Sequence, residues 1–139
     1  MPRYWGEHWG DDFPHKDITQ AIIAAAIRVQ RALGPGLLED AYKLCLAHAL
    51  RQDDHRVLRE VRLDISWEGL SISNAYTMDL VVDDKVVVEA KTVEKFADAH
   101  FAQVNSYLYF SGLEVGLLLN FRAWPLREGG IRRIVNTKP

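Results

Sequence analysis

Residues 76–91 read YTMDLVVDDKVVVEAK, a hairpin pattern around which the rest of the chain is organised. Its two Val- and Leu-rich runs have the β-branched content of strands, and Asp83-Asp84 between them supplies turn chemistry. Near the tip, Leu80, Val82, Val86 and Val88 alternate with Val81 and Val87, so both faces are apolar and the hairpin is predicted to be buried on both sides. Within it stand Asp79, Glu89 and Lys91. Charged strand residues ordinarily occupy a wet face, but in a doubly buried hairpin they must be paired or bind a metal.

Loop length sets how the charges meet. A two-residue loop at Asp83 and Asp84 pairs Val82 with Lys85 and sends the two acids to opposite faces. A three-residue loop through Lys85 pairs Val82 with Val86 and sets Asp79 opposite Glu89. Cβ atoms so placed are about 4.5–5.5 Å apart, where like charges repel. A divalent cation converts that repulsion into attraction, and two hard oxygen ligands suit Mg²⁺ or Mn²⁺. Lys91, two residues beyond Glu89, projects from the same face.

At 139 residues the chain amounts to one domain, expected at 16–139, with an irregular aromatic-rich arm at 1–15 that carries Tyr4, Trp5, Trp9 and Phe13. No apolar run approaches the roughly 18 residues of a membrane span, so no membrane partner is expected. The opening MPRYWGEHWGDDFPH lacks the apolar centre of a signal peptide, and a cytoplasmic location follows as the expectation. A net charge of -2 shows no global nucleic-acid footprint; such affinity must come from a local patch or from a metal that offsets the acids. The one cysteine, Cys45, excludes an internal disulfide and reads as a buried inert thiol among Leu44, Leu46 and Ala47. His8 and His15 have no second pair of ligands at metal-binding spacing.

Before the hairpin, Asp17 is expected to cap a helix, with Gln20 three residues on, that runs to Leu33 and stops at Gly34-Pro35-Gly36. A second helix is expected from Leu37 or Leu38 to Gln52, with Glu39 in its first turn. Residues 57–67 alternate as a strand with one wet face, Glu68-Gly69 turns it, and 70–73 lead through Asn74 into the hairpin. After Lys91, residues 97–110 read as a helix ended by Gly112, followed by strands at 115–121 and 131–135. The order α-α-β-β-β-α-β-β predicts an α/β domain with a mixed sheet flanked by helices. Tyr4, Trp5, Trp9, Phe13 and Trp124 exceed what one small domain readily buries, which points to a homodimer with the arm or the C-terminal strands at its interface.

Asp79, followed ten residues later by Glu89-Ala90-Lys91, resembles the motif of the PD-(D/E)XK nuclease superfamily. Gly36-Leu37-Leu38-Glu39-Asp40-Ala41-Tyr42 resembles the GxxExxY signature that names a family of small proteins assigned to that superfamily. LGPGLLEDAY, the hairpin, HFAQVNSY at 100–107 and LLLNF all look like that family, over about residues 17–135. The resemblance implies a restriction-endonuclease-like core. It implies that Asp79, Glu89 and the Ala90 carbonyl hold Mg²⁺ or Mn²⁺, and that Glu39 holds a second ion or a water on the first. Lys91 then orients the attacking water or stabilises transition-state charge, and Gln103 positions water, phosphate or Lys91; His100 is a further participant. Met78 replaces the proline of the superfamily's name, and Tyr76-Thr77-Met78 lacks the Arg often found before the Asp, leaving one phosphate-binding cation fewer. The activity implied is metal-dependent hydrolysis of nucleic-acid phosphodiester bonds, DNA favoured; the alternative is an inactive nucleic-acid-binding or assembly module on the same fold.

Overall fold

The computed structural model describes residues 5–7, as backbone, and 13–136. The elements are β1 (Trp5–Glu7), α1 (Lys16–Leu33), α2 (Glu39–Gln52), β2 (Val57–Trp67), β3 (Leu70–Val82), β4 (Val86–Lys91), α3 (Asp98–Ser111), β5 (Val115–Asn120) and β6 (Ile131–Asn136). The sheet runs β1-β6-β5-β4-β3-β2; only β4 and β5 are parallel neighbours, joined by the α3 crossover. This is the restriction-endonuclease-like α/β arrangement implied by the resemblance, with one addition. Residues 5–7, in the stretch expected to be irregular, pair antiparallel with β6 as an edge strand. Tyr4, His8, Trp9 and the Trp5 side chain lie outside the described residues, whereas Phe13 is buried in the core.

The sheet separates two apolar layers. Ile22, Ala26 and Val29 of α1 and Leu46 and Leu50 of α2 pack with Leu80, Val82, Val86, Val88 and Leu117 on one face. On the other, Val104, Tyr107 and Leu108 of α3 meet Met78, Val81, Val87 and Leu118. Residues 78–82 and 86–90 are buried throughout, so the hairpin is covered on both sides as its composition predicted. The start of α1 differs from expectation. Asp17 lies inside the first turn, and the chain enters through His15 in the left-handed region, whose carbonyl accepts the N–H groups of Ile18 and Thr19. The backbone satisfies those first-turn donors, so no side-chain cap is needed.

Strict alternation along β2 and β3 also fails, at one place. Val57, Leu80 and Val82 belong to the α1–α2 layer, whereas Val61, Leu63, Tyr76 and Met78, at the same parity, face α3. Between these groups Glu60 has φ 52, a left-handed conformation that costs a non-glycine residue stability and turns the strand over. Further out, the β2–β3 register shifts between Leu63 and Ile65, where Asn74 is left-handed and its N–H donates to Asp64 Oδ1 at 2.8 Å.

Helix α3 sits close to the sheet because β5 has no side chain at Gly116: a Cβ there would lie 2.6 Å from Val104 Cγ1. Both neighbours are buried, so there is little room to relax. Gly116→Ala is expected to lower stability by about 1–3 kcal/mol in urea unfolding, the usual range for overpacking. The double variant Gly116→Ala, Val104→Ala should recover part of that loss.

Candidate active site

The hairpin ladder pairs Val82 with Val86, Val81 with Val87 and Leu80 with Val88, the register of a three-residue loop. Asp79 and Glu89 come next, and there side chains take over from backbone. Asp79 N–H donates to Glu89 Oε1 at 3.3 Å, and Ala90 N–H donates to Asp79 Oδ2 at 3.0 Å. On the other edge of β3 the pairing steps from Arg59↔Leu80 to Val61↔Met78, leaving Glu60 and Asp79 out of the ladder. The sheet therefore opens on both sides of Asp79, and the reversal at Glu60 is what opens it.

Two carboxylates in such a place need compensation. Asp79 and Glu89 are only 8% and 3% exposed. Lys43, reaching across from α2, donates to Asp79 Oδ1 at 3.2 Å, and also lies 3.2 Å from Asp40 Oδ1 and 3.4 Å from Glu60 Oε1. Burial alone would push the Lys43 ammonium down; the charge of Asp79 and the bonds to Asp40 and Asp79, with Glu60, overturn this and hold it well above the ordinary lysine value. Glu89 has no equivalent partner. Burial first, then the charge of Asp79, pushes its carboxyl up to about 8, against a weaker opposing pull from Lys91 at 3.5 Å.

Lys91 Nζ donates to Gln103 Oε1 at 2.9 Å, so of the three roles implied for Gln103 the contact made is to the lysine. Glu39 opens α2 and is partly buried; burial, then the charge of Asp79, raises its carboxyl, offset in part by Lys91 and Lys43. It thus shares one electrostatic field with the hairpin residues. Tyr107 lies buried near the pair, its phenol raised by burial and then by Glu89 and Asp79. His100 plays a structural part, its Nδ1 accepting the Ala97 N–H at 2.9 Å at the start of α3. Burial and the Lys91 charge lower its pKa, which places it at the border of the site.

Each contributing element is anchored from behind. Tyr42, fully buried and stacked on Phe121 with centroids 4.7 Å apart, donates to Gly34 O at 2.6 Å and accepts the Leu37 N–H at 3.2 Å. One phenol therefore folds the Gly34–Leu37 loop onto the first turn of α2 and locates Glu39. Buried Asn120 does the same beyond β4: its Oδ1 accepts the Val93 N–H at 3.1 Å and its Nδ2 donates to Val93 O at 2.8 Å. Backbone from Phe121 to Lys91 adds a 2.9 Å bond to that tie.

Lys43 is the site residue that sequence reasoning overlooked. It stands four residues after Glu39, one helical turn on, and such spacing reads as an ordinary helix-surface pair. Its partner Asp79 is 36 residues away, a relation visible only once the sheet opens beside α2. Replacing Lys43 with Met leaves a buried carboxylate without its cation and is expected to cost about 1.5–3 kcal/mol in urea unfolding, the range for charged hydrogen bonds. Lys43→Arg, which keeps the charge, should lose less.

A family model described as the PD-(D/E)XK nuclease superfamily matches residues 16–134. No curated protein and no solved structure matches the chain. The matched region runs from the start of α1 into β6 and includes every residue of the Glu39, Asp79, Glu89, Lys91 and Gln103 set, and on that match the chain belongs to the PD-(D/E)XK nuclease superfamily.

Proposed function

We propose that the chain is a divalent-metal-dependent nuclease acting on phosphodiester bonds, with DNA the favoured substrate and the GxxExxY group its place within the superfamily. The observation that carries this reading is the paired hairpin acids. Asp79 and Glu89 are each held by the other's strand, out of the backbone ladder, with Lys91 on the same side. Two carboxylates crowded enough to raise one of them to about 8 form a donor set suited to a small hard cation. With the Ala90 carbonyl they fit Mg²⁺ or Mn²⁺, which commonly take one or two carboxylates and keep several waters. Glu39, at the start of α2, is proposed to hold a second ion or a water on the first.

Such an ion would polarise the phosphate and make water more acidic. The chain supplies the rest. As a water oxygen bonds to phosphorus and the bond from phosphorus to the leaving oxygen breaks, the Lys91 ammonium stabilises the negative charge that accumulates. Gln103 holds that ammonium in place, and Lys43 pairs with Asp79. A second reading, a nucleic-acid-binding or assembly module without catalysis, draws support from Lys43 itself: its ion pair balances Asp79 without any metal. A cleavage panel of single-stranded, double-stranded and branched DNA and of RNA, with Mg²⁺ and Mn²⁺, separates the two. The nuclease reading requires turnover that Lys91→Ala abolishes, whereas turnover by neither protein leaves the module.

Metal linkage gives an independent check. A cation bound only by the folded state adds RT ln(1 + [L]/Kd), about 2.7 kcal/mol at a hundred times Kd, so melting temperature should rise with Mg²⁺ or Mn²⁺. Glu89→Gln should raise the melting temperature of the metal-free protein, by removing a desolvated acid beside Asp79, and should abolish the metal response. Lys91→Ala should keep the metal response while losing cleavage. No shift at millimolar metal would remove the metal site from the reading.

No helix among the described residues is long and apolar enough to cross a membrane, and a cytoplasmic location and a homodimer complete the proposal. The exposed apolar residues that support a dimer are Trp124 and, on the projecting β2–β3 hairpin, Trp67, Leu70 and Ile72. Light scattering at tens of micromolar should give twice the 15.9 kDa chain mass, and Trp67→Lys with Leu70→Lys should return the monomer if that hairpin is the interface.

A further inference from the structure

A cleft of about 470 Å³ adjoins the acids and is lined by Pro35, Gly36, Leu37, Tyr42, Thr92 and Arg122. Its position follows from the topology. Thr92 comes directly after Lys91, Leu37 lies two residues before Glu39, and Arg122 lies two residues beyond β5. The cleft thus sits outside the carboxyl ends of the parallel pair β4 and β5, the usual location of ligands in α/β sheets. Its volume is in the range of small-molecule sites, roughly 300–1,000 Å³.

The walls are built before any ligand arrives. Tyr42 ties down the Gly34–Leu37 loop on one side. Asn120 joins the other two: its Oδ1 accepts the N–H of Val93 at 3.1 Å and of Arg122 at 3.2 Å, which sets Thr92 and Arg122 at fixed separation. The chemistry of the lining is one-sided. The lining contains no acid, and exposed Arg122 has no carboxylate partner among the described residues. A guanidinium and a hydroxyl in one lining with Pro35 and half-exposed Leu37 offer one cleft both charged and apolar contacts.

We propose that this cleft holds the nucleotide next to the scissile phosphate, with its own phosphate on Arg122 and Thr92 and its base or sugar against Pro35 and Leu37. The proposal rests on the nuclease reading for its substrate and adds the subsite.

The test measures fluorescence anisotropy of a fluorescein-labelled ten-residue oligo(dT) in Mg²⁺, with Lys91→Ala as the common background so that the strand stays intact. Arg122→Gln should weaken binding about tenfold or more and flatten the dependence of log K on log salt by about 0.7, one phosphate contact on a single strand. Arg122→Lys, which keeps the charge and loses the fork, should restore the salt slope and part of the affinity. Leu37→Glu, at a position 40% exposed, should weaken binding by placing an anion in the lining. Lys85→Gln, in the hairpin turn at the far end of β4, should change neither quantity. Unchanged affinity and slope in Arg122→Gln, an equal loss in Lys85→Gln, or no binding to the parent protein would each overturn the subsite. The two readings fail separately. Cleavage by the wild type with Arg122→Gln indistinguishable in binding removes the subsite and leaves the nuclease; Arg122-dependent binding with no cleavage of any nucleic acid removes the nuclease and leaves a strand-binding cleft.

Discussion

The bond between Lys43 and Asp79 is the interaction on which the site depends. Asp79 occupies a stretch of β3 buried on both faces, where a carboxylate left without a partner is costly. The ammonium from α2 pairs with it, while the Ala90 N–H and the Glu89 carboxylate replace the ladder partners that Asp79 gives up. The same ammonium draws in Glu60, whose left-handed backbone turns β2 over and opens the sheet at this level. Ion pair, backbone reversal and interrupted ladder are therefore one arrangement, since each removes a cost that the others would impose.

Rigidity around that opening comes from polar side chains bonded to backbone. Tyr42 and Asn120 hold the two loops that border the site, and each is buried where its remaining atoms pack against the core. Gln30 acts likewise on the loop after β5, donating to Phe121 O and Ala123 O and accepting the Leu126 N–H. Loops after parallel strands carry function because nothing in the ladder restrains them; here three side chains supply the restraint. Lys91 and Gln103 can then meet at 2.9 Å although they belong to different elements, with the Gly116 contact setting the height of α3 above β5.

Stability is surrendered at this site. Glu89 is buried beside another acid, with the Asp79 N–H at 3.3 Å and the Lys91 ammonium at 3.5 Å, and Glu60 sits in a conformation that most residues avoid. Neither feature improves packing. Under the proposed metal binding, a cation held only by the folded state would offset that cost.

Local chemistry determined much of this from the sequence. Apolar spacing marked the helices and strands within a few residues, and the Asp83-Asp84 turn with valines on both sides specified a buried hairpin; which loop length set Asp79 beside Glu89 was left to the register of the folded sheet. These signals are short-range, and burial on both faces reinforces them. Tertiary structure decided what depends on distant neighbours. The strand at residues 5–7 exists because β6 offers an unpaired edge, not because its residues alternate. The reversal at Glu60 breaks the strand period without any glycine to announce it, and Lys43 acquires its role only when α2 is laid across the opened sheet. Arg122 and Thr92 lie 30 residues apart in sequence and become neighbours because parallel strands end side by side, a relation carried by the sheet and by no residue pattern.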